Sequence, residues 1–329
     1  MGKYILKRIF YAALTVFALL TITFFLMQLL PGDPFIGDKA ISPVILEALY
    51  KKYGLDKPVW EQFLIYVGNF LRGDLGTSLK YNRPIMTMIA ESFPISAELG
   101  LRSLVIAVVF GLSLGSIAAI KRGKWQDTSS MIVAILGVSI PSFIIGALLQ
   151  FFLSVQFRKW FGITYFPVTG WKTEAHKILP AIALSLSSMA TVARLMRTSM
   201  LDVLGQDYIK TAKAKGLSQR AIIWRHGVRN AILPVVTVLG PIVAAVLTGS
   251  FVVENIFSIP GMGKFFVRAI QEYDYPMIAG STVFYGAFLV LMTLLVDILY
   301  GFIDPRIKIG GGGAKRRKEK APKSALKEA

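Results

Sequence analysis

Residues 207–234 read Asp207-Tyr208-Ile209-Lys210-Thr211-Ala212-Lys213-Ala214-Lys215-Gly216-Leu217, then Ser218 to Ala231, then Ile232-Leu233-Pro234. Together with the residues that lead into it, this basic segment forms the stretch 202–234, which we call the hairpin and which stands between two apolar stretches. Neighbouring helices are usually joined by short connections, so a polar insertion with the composition of a helix is unusual. The small residues Ala212 and Ala214, followed by a helix stop at Gly216, predict a surface that another protein binds.

The composition is that of an integral membrane protein. Of the 329 residues, 54% are hydrophobic and 17% are charged, and the mean hydropathy of +0.58 is too high for a soluble domain of this length. The formal net charge of +18 must therefore lie in loops and tails, because charge at the bilayer centre is costly. A nucleic-acid partner does not account for the apolar runs, and a chain without cysteine has neither disulfides nor thiolate metal sites.

Six apolar windows are long enough to cross a bilayer, which takes about 20 residues of helix. They cover approximately residues 9–30, 99–120, 131–155, 178–196, 235–253 and 277–298, and we number them spans 1 to 6. Span 1 follows Lys3, Lys7 and Arg8, as in a secretory signal, but its length and the lack of a small-x-small cleavage site predict a retained anchor. The sequence therefore predicts an all-α membrane protein with six transmembrane helices.

The placement of Lys and Arg predicts the orientation of these spans, because positive residues in short loops stay in the cytoplasm. Of the 37 Lys and Arg residues, 23 lie before span 1, between spans 2 and 3, around the hairpin and after span 6, whereas six lie in the loops after spans 3 and 5. Both termini and the hairpin are therefore predicted to be cytoplasmic. The resulting regions are an N-terminal transmembrane helix (1–30), an external helical excursion (31–97), a five-helix transmembrane core that contains the hairpin (98–303) and a basic cytoplasmic tail (304–329).

The external excursion carries helix signals of its own. Ser42-Pro43 and Tyr53-Gly54 have the residues of a helix start and a helix stop. Asp56-Lys57-Pro58 opens a second helix that ends near Arg72-Gly73. Two interpretations stay open at this point: a small cap packed on the ends of the spans, and a docking surface for an external partner.

Two later segments lie outside the six spans. After span 5, residues 257–263 and a short amphipathic stretch up to Tyr275-Pro276 predict a segment that lies at the interface or dips partway back into the membrane. In the tail, Gly310 to Gly313 is predicted to be a flexible joint. The basic residues from Lys315 onward are predicted either to attract anionic lipid headgroups or only to keep the tail in the cytoplasm.

The hairpin is predicted to contain two helices. Asp207 is the predicted N-cap, Tyr208 to Lys215 gives about two turns, and Gly216 supplies the left-handed residue that ends a helix. Ser218 is predicted to cap a second helix, which runs to about Ala231 before Pro234 opens span 5. By pattern alone, an amphipathic helix on anionic lipid is as good an interpretation as a docking helix. A DNA-reading helix-turn-helix also has this order of elements, but the tether to spans at both ends disfavours it.

The order Ala212, Gly216, Leu233-Pro234 resembles the EAA loop of ABC-importer permease subunits, and the match is closest to the oligopeptide/dipeptide branch. Strings that recur in that branch stand in their places along about residues 1–308: Leu30-Pro31-Gly32-Asp33-Pro34, Gly73-Asp74-Leu75-Gly76-Thr77-Ser78, Ile259-Pro260-Gly261-Met262-Gly263 and Asp304-Pro305-Arg306. The sequence departs from the loop pattern in one respect, since Lys210 or Thr211 stands where the name-giving glutamate would fall. The 16 residues between Gly216 and Leu233 are also more than the commonest importer spacing.

This resemblance implies a type I ABC-importer permease in the cytoplasmic membrane of a bacterium or archaeon. The implied partners are a second, similar permease subunit, two cytoplasmic ATPase subunits that bind ATP and Mg²⁺, an external solute-binding protein and a peptide substrate, di- or oligopeptide. A nickel chelate, glutathione or another small solute are the alternatives within the family. The resemblance makes the hairpin an ATPase-coupling site, formed by Asp207, Tyr208, Ala212, Lys213, Gly216 and Leu217. Because the chain lacks a G-x-x-x-x-G-K-[ST] loop, it is expected to hold no cofactor and to be non-catalytic.

Other functional classes fit less well. An intramembrane serine protease needs a serine and a histidine that face each other, and Ser250 in span 5 has no such partner, because His176 precedes span 4 and His226 lies in the hairpin. No cluster of His, Asp and Glu has metal-ligand spacing, so no metal site is predicted. An ion-coupled carrier needs ionisable groups near the middle of its spans, whereas Glu98 and Arg102, four residues apart near the outer end of span 2, are expected to pair.

Proline suggests where a translocation path runs. Pro141 and Pro241 are predicted to break spans 3 and 5 near their middles, because proline removes a backbone hydrogen bond and kinks a helix. One interpretation is a kink that serves only packing. The other is that polar groups exposed at the breaks line the path, with Ser139, Pro141, Ser142, Thr248 and Ser250 as the candidates.

Overall fold

The computed structural model describes residues 2–29, 47, 50, 51, 54, 56–247 and 250–303. Its elements are α1 (Gly2–Leu29), α2 (Val59–Leu71), α3 (Ile85–Ile120), α4 (Trp125–Ser139), α5 (Ser142–Phe161), α6 (Glu174–Leu204), α7 (Asp207–Ala214), α8 (Arg229–Leu247), α9 (Phe251–Ile256), α10 (Met262–Gln271) and α11 (Tyr275–Ile303). π-Helical turns form Gln150–Gln156 inside α5 and Ile222–Val228 directly before α8. Over these ranges no strand forms beyond one isolated bridge between Thr77 and Pro84, which confirms the all-α class.

Five helices are long and apolar enough to cross a membrane, and the bent pair α4 and α5 supplies a sixth crossing if it counts as one span. The second span starts earlier than predicted. Helix α3 has 36 residues and begins at Ile85, so residues 85–97, which the sequence assigns to the external excursion, form its first turns. Most of the predicted helix from Ser42 to Tyr53 and the whole tail 304–329 lie outside the described residues.

Proline breaks only one of the spans in the part of the chain that the structure describes. Ile140 adopts an extended conformation, as the residue before a proline tends to do, and the helices on either side of Ile140 and Pro141 meet at 106°. The predicted break at Pro141 is therefore confirmed. The predicted break at Pro241 and the predicted span start at Pro234 are wrong, because α8 continues through both. Membrane helices tolerate an internal proline when neighbouring groups satisfy the freed backbone, and the same holds for Pro94 in α3 and Pro180 in α6.

Helices α3 and α6 pack with their backbones in close contact at the centre of the molecule. Gly111 and Gly115 are four residues apart on α3, the small-xxx-small spacing that lets membrane helices approach closely. A Cβ at Gly111 would lie 2.8 Å from Val192 Cβ, and one at Gly115 would lie 2.7 Å from Met196 Cβ. On another face of α6, a Cβ at Gly137 of α4 would lie 2.9 Å from the Leu186 carbonyl oxygen. At these three positions a side chain would collide with α6, so glycine is required there.

Helix α2 confirms the second helix predicted in the external excursion, and it packs on α1. The ring centroids of Phe24 and Phe63 lie 5.4 Å apart, and those of Phe24 and Tyr66 lie 5.6 Å apart. Gln28 Nε2 donates to Gln62 Oε1 at 2.8 Å. Burial raises the pKa of Tyr66 to about 12. These contacts favour the interpretation of α2 as a cap packed on a span end.

Candidate functional site

The first helix of the hairpin begins one residue before the predicted start. Gln206 occupies the N-cap position and Asp207 is the first helical residue, so the predicted N-cap role of Asp207 is wrong. The exposed carboxylate of Asp207 instead accepts from Lys210 Nζ at 2.9 Å. An acidic residue in the first turn of a helix still stabilises the positive end of its dipole.

Three side chains form the interior of the hairpin: Ile209 and Ala212 from α7 and Ile222 from the following π turn, with Leu217 packed against them. Ala212 is only 7% exposed. The predicted small-residue docking face is therefore corrected: of its two alanines, Ala214 is exposed, whereas Ala212 points inward and lets the two arms of the hairpin approach. Ala212 and Leu217 thus support the shape of the hairpin from inside.

The turn of the hairpin follows the prediction. Gly216 has φ +75°, the left-handed region, and no atom lies within 4 Å of the position where a Cβ would be. Its N–H donates to the Lys213 carbonyl oxygen at 3.0 Å, and the Leu217 N–H donates to the Ala212 carbonyl oxygen at 3.3 Å. The Ser218 hydroxyl then accepts from the Ala221 N–H at 3.3 Å, which confirms Ser218 as a cap. The second arm runs without a break through the π turn into α8, rather than ending near Ala231.

The outward surface of the hairpin is aromatic and basic. Tyr208 is 44% exposed, and Lys213 and Lys215 are exposed beside it. On the second arm Trp224 is 69% exposed and Arg225 is exposed next to it. An aromatic ring with cations around it is a common composition for a protein-binding surface, because aromatic and arginine side chains dominate interface energies.

A bidentate ion pair fixes the helices from which the hairpin projects. Arg197 of α6 donates to both carboxylate oxygens of Asp127, Nε at 2.6 Å and Nη2 at 2.8 Å. Asp127 is buried in the first turn of α4 and also accepts from the Gly123 N–H at 3.1 Å. The turn between α3 and α4 is thereby attached to α6 shortly before α6 leads into the hairpin.

The residues predicted for the path lie in two separate regions of the chain. Ser139 ends α4, Pro141 is exposed at the bend, and Ser142 opens α5. Ser250 caps α9, its hydroxyl accepting from the Val253 N–H at 3.4 Å. Thr248 lies outside the described residues.

A groove of about 550 Å³ lies elsewhere, between α3 and α6, and its lining includes none of the predicted path residues. Its walls are mainly apolar, and its lining consists of Glu98, Leu101, Arg102, Val105, Ile106, Phe110, Lys177, Ile178, Ala181 and Ile182. The predicted pair of Glu98 and Arg102 is confirmed, with Arg102 Nη2 donating to Glu98 Oε1 at 2.7 Å. Sequence reasoning missed Glu174 and Lys177, which join this pair to form what we call the four-charge cluster. Their i, i+3 spacing at the start of an apolar helix was the available signal.

A buried glutamate explains the string Ile259-Pro260-Gly261-Met262-Gly263. Glu254 Oε2 accepts from the Gly263 N–H at 2.8 Å, and Ser96 Oγ of α3 accepts from the Met262 N–H at 3.0 Å. A Cβ at Gly261 would collide with Glu254 Oε2 and Ser96 Oγ. The two glycines therefore leave room for the carboxylate, which holds the turn after α9 against α3.

A second buried acid explains the string that ends at Ser78. The Asp274 carboxylate accepts from the Ser78 hydroxyl at 2.5 Å and from the Leu79 N–H at 3.2 Å. It also accepts from the Met277 N–H at 3.3 Å, in the first turn of α11. The loop between α2 and α3 is thus attached to the start of α11. Among the described residues, no group of three or more His, Asp or Glu side chains has the arrangement of a metal site.

Comparisons with known proteins agree with this architecture. The family model of the binding-protein-dependent transport system inner membrane component matches residues 111–309, and the model of the N-terminal part of such components matches residues 1–100. The dipeptide transport system permease protein DppB of Bacillus subtilis is 46% identical over 312 residues, covering 94% of this chain and 99% of that protein. The oligopeptide transport system permease protein OppB of Escherichia coli K12 is 40% identical over 311 residues, covering 94% of this chain and all of that protein.

A solved structure shares the fold at low identity. A chain of the MetNI methionine ABC transporter, in an inward-facing conformation, superposes with a TM-score of 0.54 at 17% identity, covering 67% of this chain and 98% of that one. The two family models together match residues 1–100 and 111–309, and the relatives cover 94% of this chain. This chain therefore belongs to the family of binding-protein-dependent transport system inner membrane components.

Proposed function

We propose that the chain is the membrane-spanning permease subunit of an ATP-driven importer that passes di- or oligopeptides into the cytoplasm. The observation that carries this proposal is the 46% identity to a dipeptide permease over 94% of the chain. An external solute-binding protein delivers the peptide, and a second, similar permease subunit completes the path. Two cytoplasmic ATPase subunits bind ATP and Mg²⁺ and drive the transport, so this chain contributes no catalytic group.

The hairpin is the part of the chain that contacts an ATPase. Its aromatic and basic surface, with Tyr208 and Lys213, supplies the contact, while Ala212 and Leu217 support that surface from inside. Because α6 and α8 enter the hairpin directly, a displacement of α7 by the ATPase moves two long helices together. Such rigid movement is the usual way in which a site at one end of a bundle alters a cavity at the other.

The orientation follows from the charge distribution, with both termini and the hairpin in the cytoplasm. Because the chain has no cysteine, one introduced thiol reports on one position. We expect Lys210→Cys to react with a membrane-impermeant thiol reagent only in inside-out vesicles, and Lys159→Cys, in the last turn of α5, only in right-side-out vesicles. The opposite pattern would invert the topology.

Uptake of labelled dipeptide is the test of the function. The chain is reconstituted in liposomes with its partner permease, both ATPases and the binding protein. We expect accumulation that requires ATP and the binding protein, with unlabelled dipeptide as a competitor. If a nickel chelate or glutathione competes and dipeptide does not, that solute is the substrate instead of a peptide.

The coupling role is tested with two charge reversals. Lys213→Glu on the hairpin is expected to reduce co-purification of the ATPases and to abolish uptake, while the protein still inserts and elutes as a single species. Lys159→Glu is the matched control, because it makes the same charge change at another exposed lysine, far from the hairpin in sequence. Normal ATPase recovery and normal uptake with Lys213→Glu would remove the hairpin from the interface.

A further inference from the structure

We propose that the transported peptide passes along the groove between α3 and α6, and that the four-charge cluster binds the charged ends of that peptide. This inference rests on the proposed function, since it names the surface that a peptide importer uses. It also differs from the path that the sequence predicts at Ser139, Pro141, Ser142, Thr248 and Ser250.

The four charges form a closed ring. Glu98 Oε1 accepts from Arg102 at 2.7 Å and from Lys177 at 2.9 Å. Glu174 accepts from the same two cations, at 2.6 Å from Arg102 Nη1 and at 3.0 Å from Lys177 Nζ. Each carboxylate therefore has two cationic partners and each cation has two anionic partners. The ring carries no net charge, so it has no general preference for cations or anions.

The ring lies toward the predicted outer ends of two helices that are long and apolar enough to span a membrane, with Glu174 and Lys177 in the first turn of α6. A charged side chain within a span is costly next to lipid tails, and such residues usually face protein or a water-filled cavity. The side chain of Glu174 is 68% exposed and that of Arg102 is 36% exposed. The end of the groove that carries the ring therefore faces water or a solute rather than lipid.

A peptide with free ends carries one ammonium group and one carboxylate, which are the two kinds of charge that the ring holds. The ammonium can replace a protein cation on the exposed Glu174, and the carboxylate can form two parallel hydrogen bonds with the Arg102 guanidinium. Because each ion pair with the peptide can replace one within the ring, the net gain on binding is small and the peptide can move on. The apolar walls, including Leu101, Val105 and Ile178, accept side chains without selecting among them.

The size and the position of the groove agree with this role. A volume of about 550 Å³ lies in the range of small-molecule sites. At the helical rise, Lys177 lies about 40 Å along α6 from the point where α6 enters the hairpin. The two sites thus lie near opposite ends of one helix, as delivery from outside and drive from the cytoplasm require.

The test uses two valines of equal exposure on the same helix. Val105 lines the groove and is 55% exposed, whereas Val109 is 54% exposed and is not part of the lining. Each is changed to cysteine in the reconstituted complex, whose other subunits carry no reactive thiol, and is labelled with a small water-soluble thiol reagent. We expect Val105→Cys to react and to be protected about tenfold by saturating dipeptide with binding protein and ATP. Val109→Cys is expected to show no peptide-dependent change.

The role of the ring is tested with Arg102→Met and with a dipeptide that is acetylated at one end and amidated at the other. We expect Arg102→Met, which removes the guanidinium that binds the peptide carboxylate, to raise the free-dipeptide concentration needed for half-protection of Val105→Cys by about tenfold, and Arg102→Lys to restore it in part. The blocked dipeptide should protect equally poorly in all three proteins. Glu91→Gln, which removes the exposed pair with Arg83 at the start of α3, is the control and should change nothing.

Each other outcome contradicts the proposal. If dipeptide does not reduce labelling of Val105→Cys in a complex that transports dipeptide, the peptide does not pass along the groove. Cross-linking of Val105→Cys to the second permease subunit in every state makes the groove a subunit interface. If free and blocked dipeptides protect Val105→Cys equally, the ring does not bind the charged ends of the peptide. Failure of the unmodified complex to take up dipeptide, which is measured first, refutes the proposed function instead.

Discussion

The helix pair α3 and α6 and the hairpin are held together in opposite ways. In the helix pair, glycines at 111 and 115 let backbones touch, and an added methyl group at either position would collide with α6. In the hairpin, a few buried side chains hold two arms together, and Gly216 has open space around it. The helix pair therefore has no room for a side chain at these glycines, whereas the turn of the hairpin has room for one at Gly216. A rigid helix pair that ends in a less tightly packed hairpin is suited to pass a movement of the hairpin to the membrane helices.

The largest expected effect is that of Gly115→Val, which breaks the helix pair. The new side chain meets Met196 and the Ala193 carbonyl group, so α3 and α6 must separate. Overpacking of this kind costs about 1–3 kcal/mol and more where backbone is in the way. We expect loss of the monodisperse species in size-exclusion chromatography and a lowered thermal midpoint. Gly68→Ala in α2, where a Cβ has no neighbour within 4 Å, should leave both measurements unchanged or improved.

The second prediction compares one chemical change in the two regions. Asp127→Asn removes a buried carboxylate from its bidentate contact with Arg197 and is expected to cost about 3 kcal/mol of folding stability. Asp207→Asn removes an exposed pair with Lys210 and is expected to cost about 0.5 kcal/mol or less. Thermal unfolding of the detergent-solubilised variants measures both. Equal midpoints would mean that the contact between Asp127 of α4 and Arg197 of α6 adds nothing to folding stability.

The third prediction concerns the interior of the hairpin. Ile209→Ala removes the largest contact between the two arms and is expected to cost about 2–4 kcal/mol, all of it local. Limited trypsin digestion should then cut faster at Lys210, Lys213 and Lys215, while the spans stay protected. Ile132→Ala on the exposed face of α4 is the control. Loss of the whole fold would show that the hairpin and the helix pair form one cooperative unit.

The smallest effect is expected at the turn. Gly216→Ala places a methyl group in open space but in a left-handed conformation, so it should cost about 1 kcal/mol. Trypsin sensitivity should rise slightly, and ATPase co-purification should persist. Gly205→Ala, at φ −80°, should cost less. Loss of ATPase binding with unchanged trypsin sensitivity would place the turn itself in the contact.

The sequence predicted those features that depend on local chemistry. Gly216, the Ser218 cap, the helix after Pro58 and the break at Pro141 each depend on a residue whose backbone preference is strong. It failed for Ala212, because helical spacing tells which residues share a face and not which face is inside. It failed for Pro241 as well, because neighbouring helices decide whether a proline bends or ends a helix.

The groups that act over long distances in the chain escaped prediction altogether. Glu174 and Lys177 meet Glu98 and Arg102 only because α3 and α6 pack side by side. Likewise, Asp274 meets Ser78 across almost 200 residues of chain. No local pattern contains such pairings, although the recurring strings at residues 73–78 and 259–263 marked the loops that Asp274 and Glu254 hold.

The buried carboxylate of Glu254 links the sequence requirements at positions 254, 261 and 263. Its oxygen, together with Ser96 Oγ at Gly261 and the Phe251 backbone at Gly263, occupies the space that a side chain at either glycine would need. Conversely, a shorter residue at position 254 leaves the Gly263 N–H without its acceptor. In related sequences we therefore expect these three positions to vary together or not at all, so that a graft of this turn onto another permease must carry its glutamate with it.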